Sequence, residues 1–189
     1  MTARQLTDTG SNHIGFVGRQ RNGVAVLIGA ALAAAPAMAS AEAQWHLQTG
    51  GMSHHFAQTD APGRQWNDSH PGLGVEYRNT VDSNWSTRLT VGLMRDSRQY
   101  ASGYAAGVYL YDMARGGGAS ASMGLGLYAF YRSSTWDGDM QLVPAIAPTF
   151  TFGLLKDRVG ISVIALPKVT LFGRSSTPLV FAQLSFRYN

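Results

Sequence analysis

Trp85-Ser86-Thr87-Arg88-Leu89-Thr90-Val91-Gly92-Leu93-Met94-Arg95-Asp96-Ser97 decides the fold. Trp85, Thr87, Leu89, Val91 and Leu93 share one face at a period of two, and Ser86, Arg88, Thr90, Gly92 and Met94 share the other. That period belongs to a β-strand with one apolar and one polar side. The C-terminal stretch repeats it, with Val180, Ala182, Leu184, Phe186 and Tyr188 opposite Gln183, Ser185 and Arg187. Working outward gives eight alternating segments, at about 45–56, 71–78, 85–96, 101–113, 119–131, 141–152, 158–166 and 179–188, divided by turn signals. No helical run interrupts them.

Such strands face either a protein core in water or lipid on one side and a barrel interior on the other. The N-terminus favours the second case. Arg19 and Arg21 precede an Ala-rich apolar run, Val24 to Ala37, and two small-x-small sites follow, Ala37-Met38-Ala39 and Ala39-Ser40-Ala41. This reads as a secretory signal peptide over residues 1–41, cleaved near 39–43. The alternative is an uncleaved anchor or a buried helix, although the run is short for a membrane-spanning helix. Residues 42–189 are then expected to form one all-β domain, an eight-stranded antiparallel outer-membrane β-barrel.

Composition agrees. Charged residues make up 14 % of the 189-residue chain, against about 25 % in soluble domains. Glycine, at 22 residues, suits close strand contacts and tight turns. The absence of cysteine excludes a disulfide framework and thiolate chemistry. From Gln44 onward, 12 Lys/Arg face 9 Asp/Glu, too mild a balance to point to nucleic acid. No nucleotide loop or metal-ligand cluster is visible, and no cofactor is expected.

With the N-terminus periplasmic, the inner turns fall near 79–84, 114–118 and 154–157. The outer loops fall near 57–70, 97–100, 132–140 and 167–178, three of them longer, which is the asymmetry expected of such barrels. Trp45, Tyr77, Trp85, Phe152 and Tyr188 would form the inner aromatic girdle, and Tyr104, Tyr131 and Trp136 the outer one. Eight strands leave an interior that side chains nearly fill. Gly92, Gly124, Gly126, Ala145 and Ala147 point inward on this phase, either as jigsaw packing or as a slot for one acyl chain.

The same topology sends a carboxylate, a hydroxyl and an imidazole to the outer rim. Asp96-Ser97 ends the third segment and His54-His55 ends the first. A base, a nucleophile or proton relay and an orienting carboxylate can support acyl transfer. Asp-Ser also makes ordinary turns, and the histidines could be solvated or an adventitious metal site. Alternation from His46 points His54 inward; a bulge at Gly50-Gly51 would reverse the phase and favour His55. Rim residues facing water should change fold stability little when replaced.

Pro144 and Pro148 lie in an apolar strand, and Pro167 ends the next one. Proline donates no ladder hydrogen bond. The seam between the sixth and seventh segments is therefore a candidate lateral gate for lipid chains, unless these strands simply start late.

Several of these stretches, taken in order, resemble the lipid A palmitoyltransferase (PagP) family. They are Leu93-Met94-Arg95-Asp96-Ser97 with Gly103-Tyr104, the spaced prolines of Val143-Pro144-Ala145-Ile146-Ala147-Pro148, and Ala165-Leu166-Pro167. Pro71-Gly72-Leu73-Gly74 and the closing stretch from Val180 to Phe186 complete the set. The resemblance implies an acyltransferase that moves a palmitoyl or similar chain from a phospholipid to lipid A, acting as a monomer in the outer membrane with its active site facing outward. It carries the catalytic roles onto His54, Asp96 and Ser97. Arg95, Arg98, Arg132, Lys168 and Arg174 map to or near the outer mouth, where they would either hold the phosphates of lipid A or be merely solvated. The chain departs from the family in having no amphipathic helix before Trp45 and no proline in the first strand. Acyl-length selectivity would fall near Ala106, Gly107 or Val108.

Two other functions compete. A lipid A deacylase would carry a His-x-Ser motif late in the chain, whereas all five histidines lie at or before His70. A structural or adhesive barrel without catalysis explains the fold equally well.

Overall fold

The computed structural model describes residues 43–57, 63–168, 170–171, 174–175 and 177–188. The signal-peptide reading of residues 1–41 lies outside the described residues. Seven long strands follow in order: β1 (Gln44–His55), β2 (Ser69–Thr80), β3 (Trp85–Arg95), β4 (Ala101–Gly116), β5 (Ala119–Ser133), β6 (Met140–Leu154) and β7 (Val159–Leu166). A short ribbon, β8 (Thr170–Leu171) with β9 (Arg174–Ser175), precedes β10 (Leu179–Arg187). Strands β1 to β7 and β10 close into an antiparallel barrel, with β10 paired to β1. The eight-stranded barrel read from the alternation is therefore the fold, and most strand ends fall within a residue or two of their expected places.

One end carries the connections 81–84, 117–118 and 155–158; the other carries 56–68, 96–100, 134–139 and 167–178. We call them the turn end and the loop end. The tightest turn, Gly117-Gly118, has φ of 60° and 84°, the left-handed geometry that joins twisted strands in a two-residue hairpin.

The outward face is apolar. Leu47, Leu73, Val75, Leu93, Leu125, Leu127, Ile146, Leu184 and Phe186 are all exposed on it. A surface of this kind is stable against hydrocarbon and not against water. At the turn end Trp45 meets Tyr77 edge-on at 5.2 Å, and Trp85 stacks on Tyr109 at 4.7 Å. Tyr104 departs from its expected place in the loop-end girdle. It is buried inside the barrel, where its hydroxyl donates to Gln48 Oε1 at 2.9 Å and accepts from Gln183 Nε2 at 2.8 Å.

The interior is filled in two layers. Toward the turn end it is polar: Glu76 accepts from Gln48 Nε2 at 2.9 Å and from Arg78, Arg78 reaches Ser185 Oγ at 2.7 Å, and Arg88 reaches Thr151 Oγ1 at 3.0 Å. Toward the loop end it is apolar, built from Ala145, Ala147, Tyr128, Ile164, Leu179 and Phe181, with Met94, Phe130 and Leu166 against them. The inward glycines make room for rings. A Cβ on Gly92 would lie 2.4 Å from the Tyr104 hydroxyl, and one on Gly126 would lie 2.4 Å from the Tyr128 ring. The cavity between the layers is only about 30 Å³. Of the two readings of the small inward residues, jigsaw packing is the one observed; among the described residues no open acyl slot is seen.

Candidate functional site at the loop end

Three features of the ladder shape this end. The first is a bulge. Pairing of β1 with β10 and with β2 shifts register across Gly50, between Gln48 and Gly51 on one side and between Thr49 and Gly51 on the other. The extra residue is on β1 against β10 and on β2 against β1; a Cβ on Gly50 would lie 1.9 Å from the His70 carbonyl oxygen, so this position takes only glycine. The bulge reverses the phase of β1. His46 and Gln48 face inward below it; Ser53 and His55 face inward above it, and Met52 and His54 face out. The inward placement of His54 expected from alternation is thus corrected. His54 is exposed, with its ring edge-on to Phe56 at 5.2 Å.

The second feature is the seam. The β6–β7 ladder runs from Leu154↔Val159 to Thr149↔Ile164 and stops there. Residues 140–148 of β6 continue toward the loop end paired only with β5, through Leu125↔Pro148 and Ala129↔Pro144. Proline fits a ladder only where its missing N–H faces away from the partner, so both gaps face the β7 side. β7 itself ends at Leu166, just before Pro167. The third feature is a shorter gap. β2 and β3 pair up to Gly72↔Met94, leaving Ser69, His70 and Pro71 without β3 partners.

Asp96 and Ser97 are buried at this rim, not exposed to water. The Asp96 carboxylate accepts from the amides of Arg98, Tyr100 and Ser133, each at 2.9 Å, and from Ser102 Oγ at 3.1 Å. It joins the β3–β4 turn to the end of β5, so the expectation that this rim residue faces water is corrected. No hydrogen bond among the described residues joins His54, Asp96 and Ser97 into one constellation. His55 is the inward histidine. Its Nδ1 lies 3.2 Å from Asp68 Oδ1, its ring stacks on Trp66 at 4.8 Å, and its Nε2 is covered without a hydrogen-bond partner.

Aromatic and cationic side chains close the mouth. Trp66 stacks on Trp136 at 5.4 Å, and Arg98 lies over both rings at 5.0 and 5.6 Å while donating to the Ser133 carbonyl at 2.8 Å. Arg98 is thereby part of the closure. Arg95 is exposed on the outward phase of β3, and Arg132 is half-buried on the inward phase of β5. Lys168 is exposed, and the side chain of Arg174 lies outside the described residues. The three arginines therefore do not converge on one point. Among the described residues no group of three His, Asp or Glu side chains could hold a metal ion.

A pair that sequence reasoning missed lies beneath this closure. Ser53 Oγ is 2.7 Å from His70 Nε2, and His70 Nδ1 is 2.8 Å from the Arg95 carbonyl oxygen. The imidazole takes up, across the β2–β3 gap, a carbonyl that the ladder leaves unpaired. The buried phase of Gly74, Glu76 and Arg78 on β2, carried back to His70, would have signalled it.

Neither a protein-family model nor a curated protein matches the chain. Among solved structures it is similar to the outer membrane protein Ail of Yersinia pestis in a phospholipid bilayer nanodisc, at 10 % identity and a TM-score of 0.40, over 78 % of this chain and 100 % of that one. It is also similar to the crystal structure of Yersinia pestis Ail in complex with the heparin analogue sucrose octasulfate, at 9 % identity and a TM-score of 0.33, over 77 % and 97 % of the two chains. Neither likeness bears on function.

Proposed function

We propose that this chain is an outer-membrane acyltransferase of the lipid A palmitoyltransferase kind, working at the loop end of the barrel from the outer leaflet. The observation that carries the reading is the seam above Thr149 and Ile164, where β6 keeps a proline-bearing edge without a β7 partner. Backbone groups facing lipid without partners are costly, so a gap at bilayer depth needs a use. Lateral passage of an acyl chain is such a use. The apolar loop-end layer behind the seam suits an acyl chain, and the shorter gap beside Pro71 supplies a second opening. A transfer between two bilayer lipids needs access for both. Donor phospholipid, lipid A acceptor and monomeric action belong to this proposal, as do rim roles for Ser97 and for His55 in place of His54. Asp96 acts on this reading by holding the rim together.

A second reading, a structural or adhesive barrel without catalysis, is favoured by the filled interior and by the full use of the Asp96 carboxylate within the fold. Mass spectrometry of lipid A from cells with and without the protein separates them. A gain of one acyl group supports transfer, a loss indicates deacylation, and unchanged lipid A with folded protein in the membrane refutes both enzymatic readings.

A further inference from the structure

We propose that Ser53 and His70 are a nucleophile and general base that carry the acyl group covalently; this rests on the acyltransferase reading and names its nucleophile. A carbonyl oxygen only accepts hydrogen bonds, so the 2.8 Å contact to the Arg95 carbonyl places the proton of a neutral His70 on Nδ1. Nε2 then presents its lone pair, and Ser53 donates its hydroxyl to it across 2.7 Å. This is the protonation pattern of an activated serine, with a backbone carbonyl in the place of the orienting third group.

Position supports the assignment as well as geometry. Thr149 pairs with Ile164, Ile164 with Phe181, and Phe181 with Ser53. All four side chains face inward and are buried. The seam therefore opens at the register level of Ser53, and Ile164 and Phe181 form the apolar floor between them. Phe181 also packs on His70, with ring centroids 5.5 Å apart. On the other side His70 stands in the β2–β3 gap. The pair thus lies between the two lateral openings. An acyl chain coming through the seam would displace apolar side chains of the loop-end layer and bring its ester group to Ser53.

The step balances without a co-reactant. Ser53 Oγ attacks the carbonyl carbon of a glycerophospholipid ester while its proton passes to His70 Nε2. The bond between that carbon and the glycerol oxygen breaks, and His70 returns the proton to the departing alcohol. An acyl-Ser53 ester and a lysophospholipid result. A second hydroxyl then attacks the acyl carbon, His70 takes its proton, and Ser53 Oγ leaves and is reprotonated.

The test uses the folded protein in mixed micelles, its folding confirmed by unboiled gel mobility. A long-chain alkyl fluorophosphonate is the probe, with peptide mass spectrometry to locate the adduct. Attack by Ser53 on phosphorus expels fluoride and leaves the adduct on the Ser53 peptide of the wild type. Ser53→Ala should remove it, and His70→Gln should slow labelling by about a hundredfold, the usual worth of a positioned base. Absence of an adduct on Ser53 in the folded wild type overturns the proposal and needs no variant to be read; so does an adduct on Ser97 alone. Acyl transfer to lipid A is measured on the same samples. Folded Ser53→Ala that still transfers at the wild-type rate refutes the pair and leaves the acyltransferase reading standing. Labelled Ser53 in a protein that only hydrolyses phospholipid supports the pair and refutes lipid A as acceptor.

Discussion

Replacing Asp96 tests whether this carboxylate is a structural tie at the rim. It is 3 % exposed and accepts four hydrogen bonds, three from backbone amides and one from Ser102. Hydrogen bonds to a charged acceptor contribute roughly 1.5–3 kcal/mol each, and a donor left buried without a partner costs roughly 1–3 kcal/mol. The turn sits beside the loops, where water can reach freed amides, so about 1 kcal/mol for each of the four is a working value. Asp96→Ala should therefore cost about 4 kcal/mol. Asp96→Asn keeps Oδ1 for the amides of Arg98 and Tyr100 and turns an amide donor toward the Ser133 N–H. Its cost should be about half as large, near 2 kcal/mol. Denaturant titration of the refolded protein in micelles, read by tryptophan fluorescence and by gel mobility, gives both values. If both variants fall within about 0.5 kcal/mol of wild type, as replacements at ordinary surface positions do, the carboxylate is not a tie and the rim must be held by other contacts.

The remaining predictions address the ladder. Continuing the β6–β7 register past Thr149↔Ile164 brings Ala147 opposite Leu166; on the proposed acyltransferase reading, a disulfide between Ala147→Cys and Leu166→Cys should stop lipid A acylation when oxidised and release it when reduced. Full activity with the bridge closed would remove the gate. Gly50→Ala puts a methyl group within 1.9 Å of the His70 carbonyl oxygen. It should destabilise the barrel by at least about 2 kcal/mol, and a smaller loss in the same titration would show that the bulge can shift. Lys156 sits at φ 59° between Leu155 and Asp157, which are also left-handed. Lys156→Gly should therefore stabilise by about 1 kcal/mol, and a destabilised variant would contradict the turn geometry.

The barrel was legible because lipid and interior impose opposite polarities on alternate residues, as Trp85 to Met94 display in a single line of sequence. Turn chemistry such as Gly117-Gly118 marked the hairpins. The rim was less legible because there the period fails. One inserted glycine reverses β1, so His54 and His55 exchange faces; the Gly50-Gly51 pair advertised the possibility, and only the pairing with β2 and β10 resolves it. Beginning the second segment at Pro71 left His70 in a loop, although it belongs to β2 and reaches the Arg95 carbonyl. Asp96 read as a reactive carboxylate because residue type does not reveal how many donors converge on an acceptor. The seam was signalled by Pro144 and Pro148, whose missing donors are a covalent property that the sequence shows directly.

The incomplete β6–β7 ladder also has a mechanical consequence. Hydrogen-bonded strands act as a hoop, and toward the turn end that hoop is unbroken. Toward the loop end the β6–β7 junction is missing above Thr149 and Ile164 and the β2–β3 junction over its last residues, so the barrel there is a split ring. A split ring dilates with little resistance, while an intact one resists dilation. Radial breathing is then confined to the loop-end half of the wall. Close packing of the surroundings against that half would hold the ring shut. Loose packing would let it spread, so the two halves of one wall differ in stiffness.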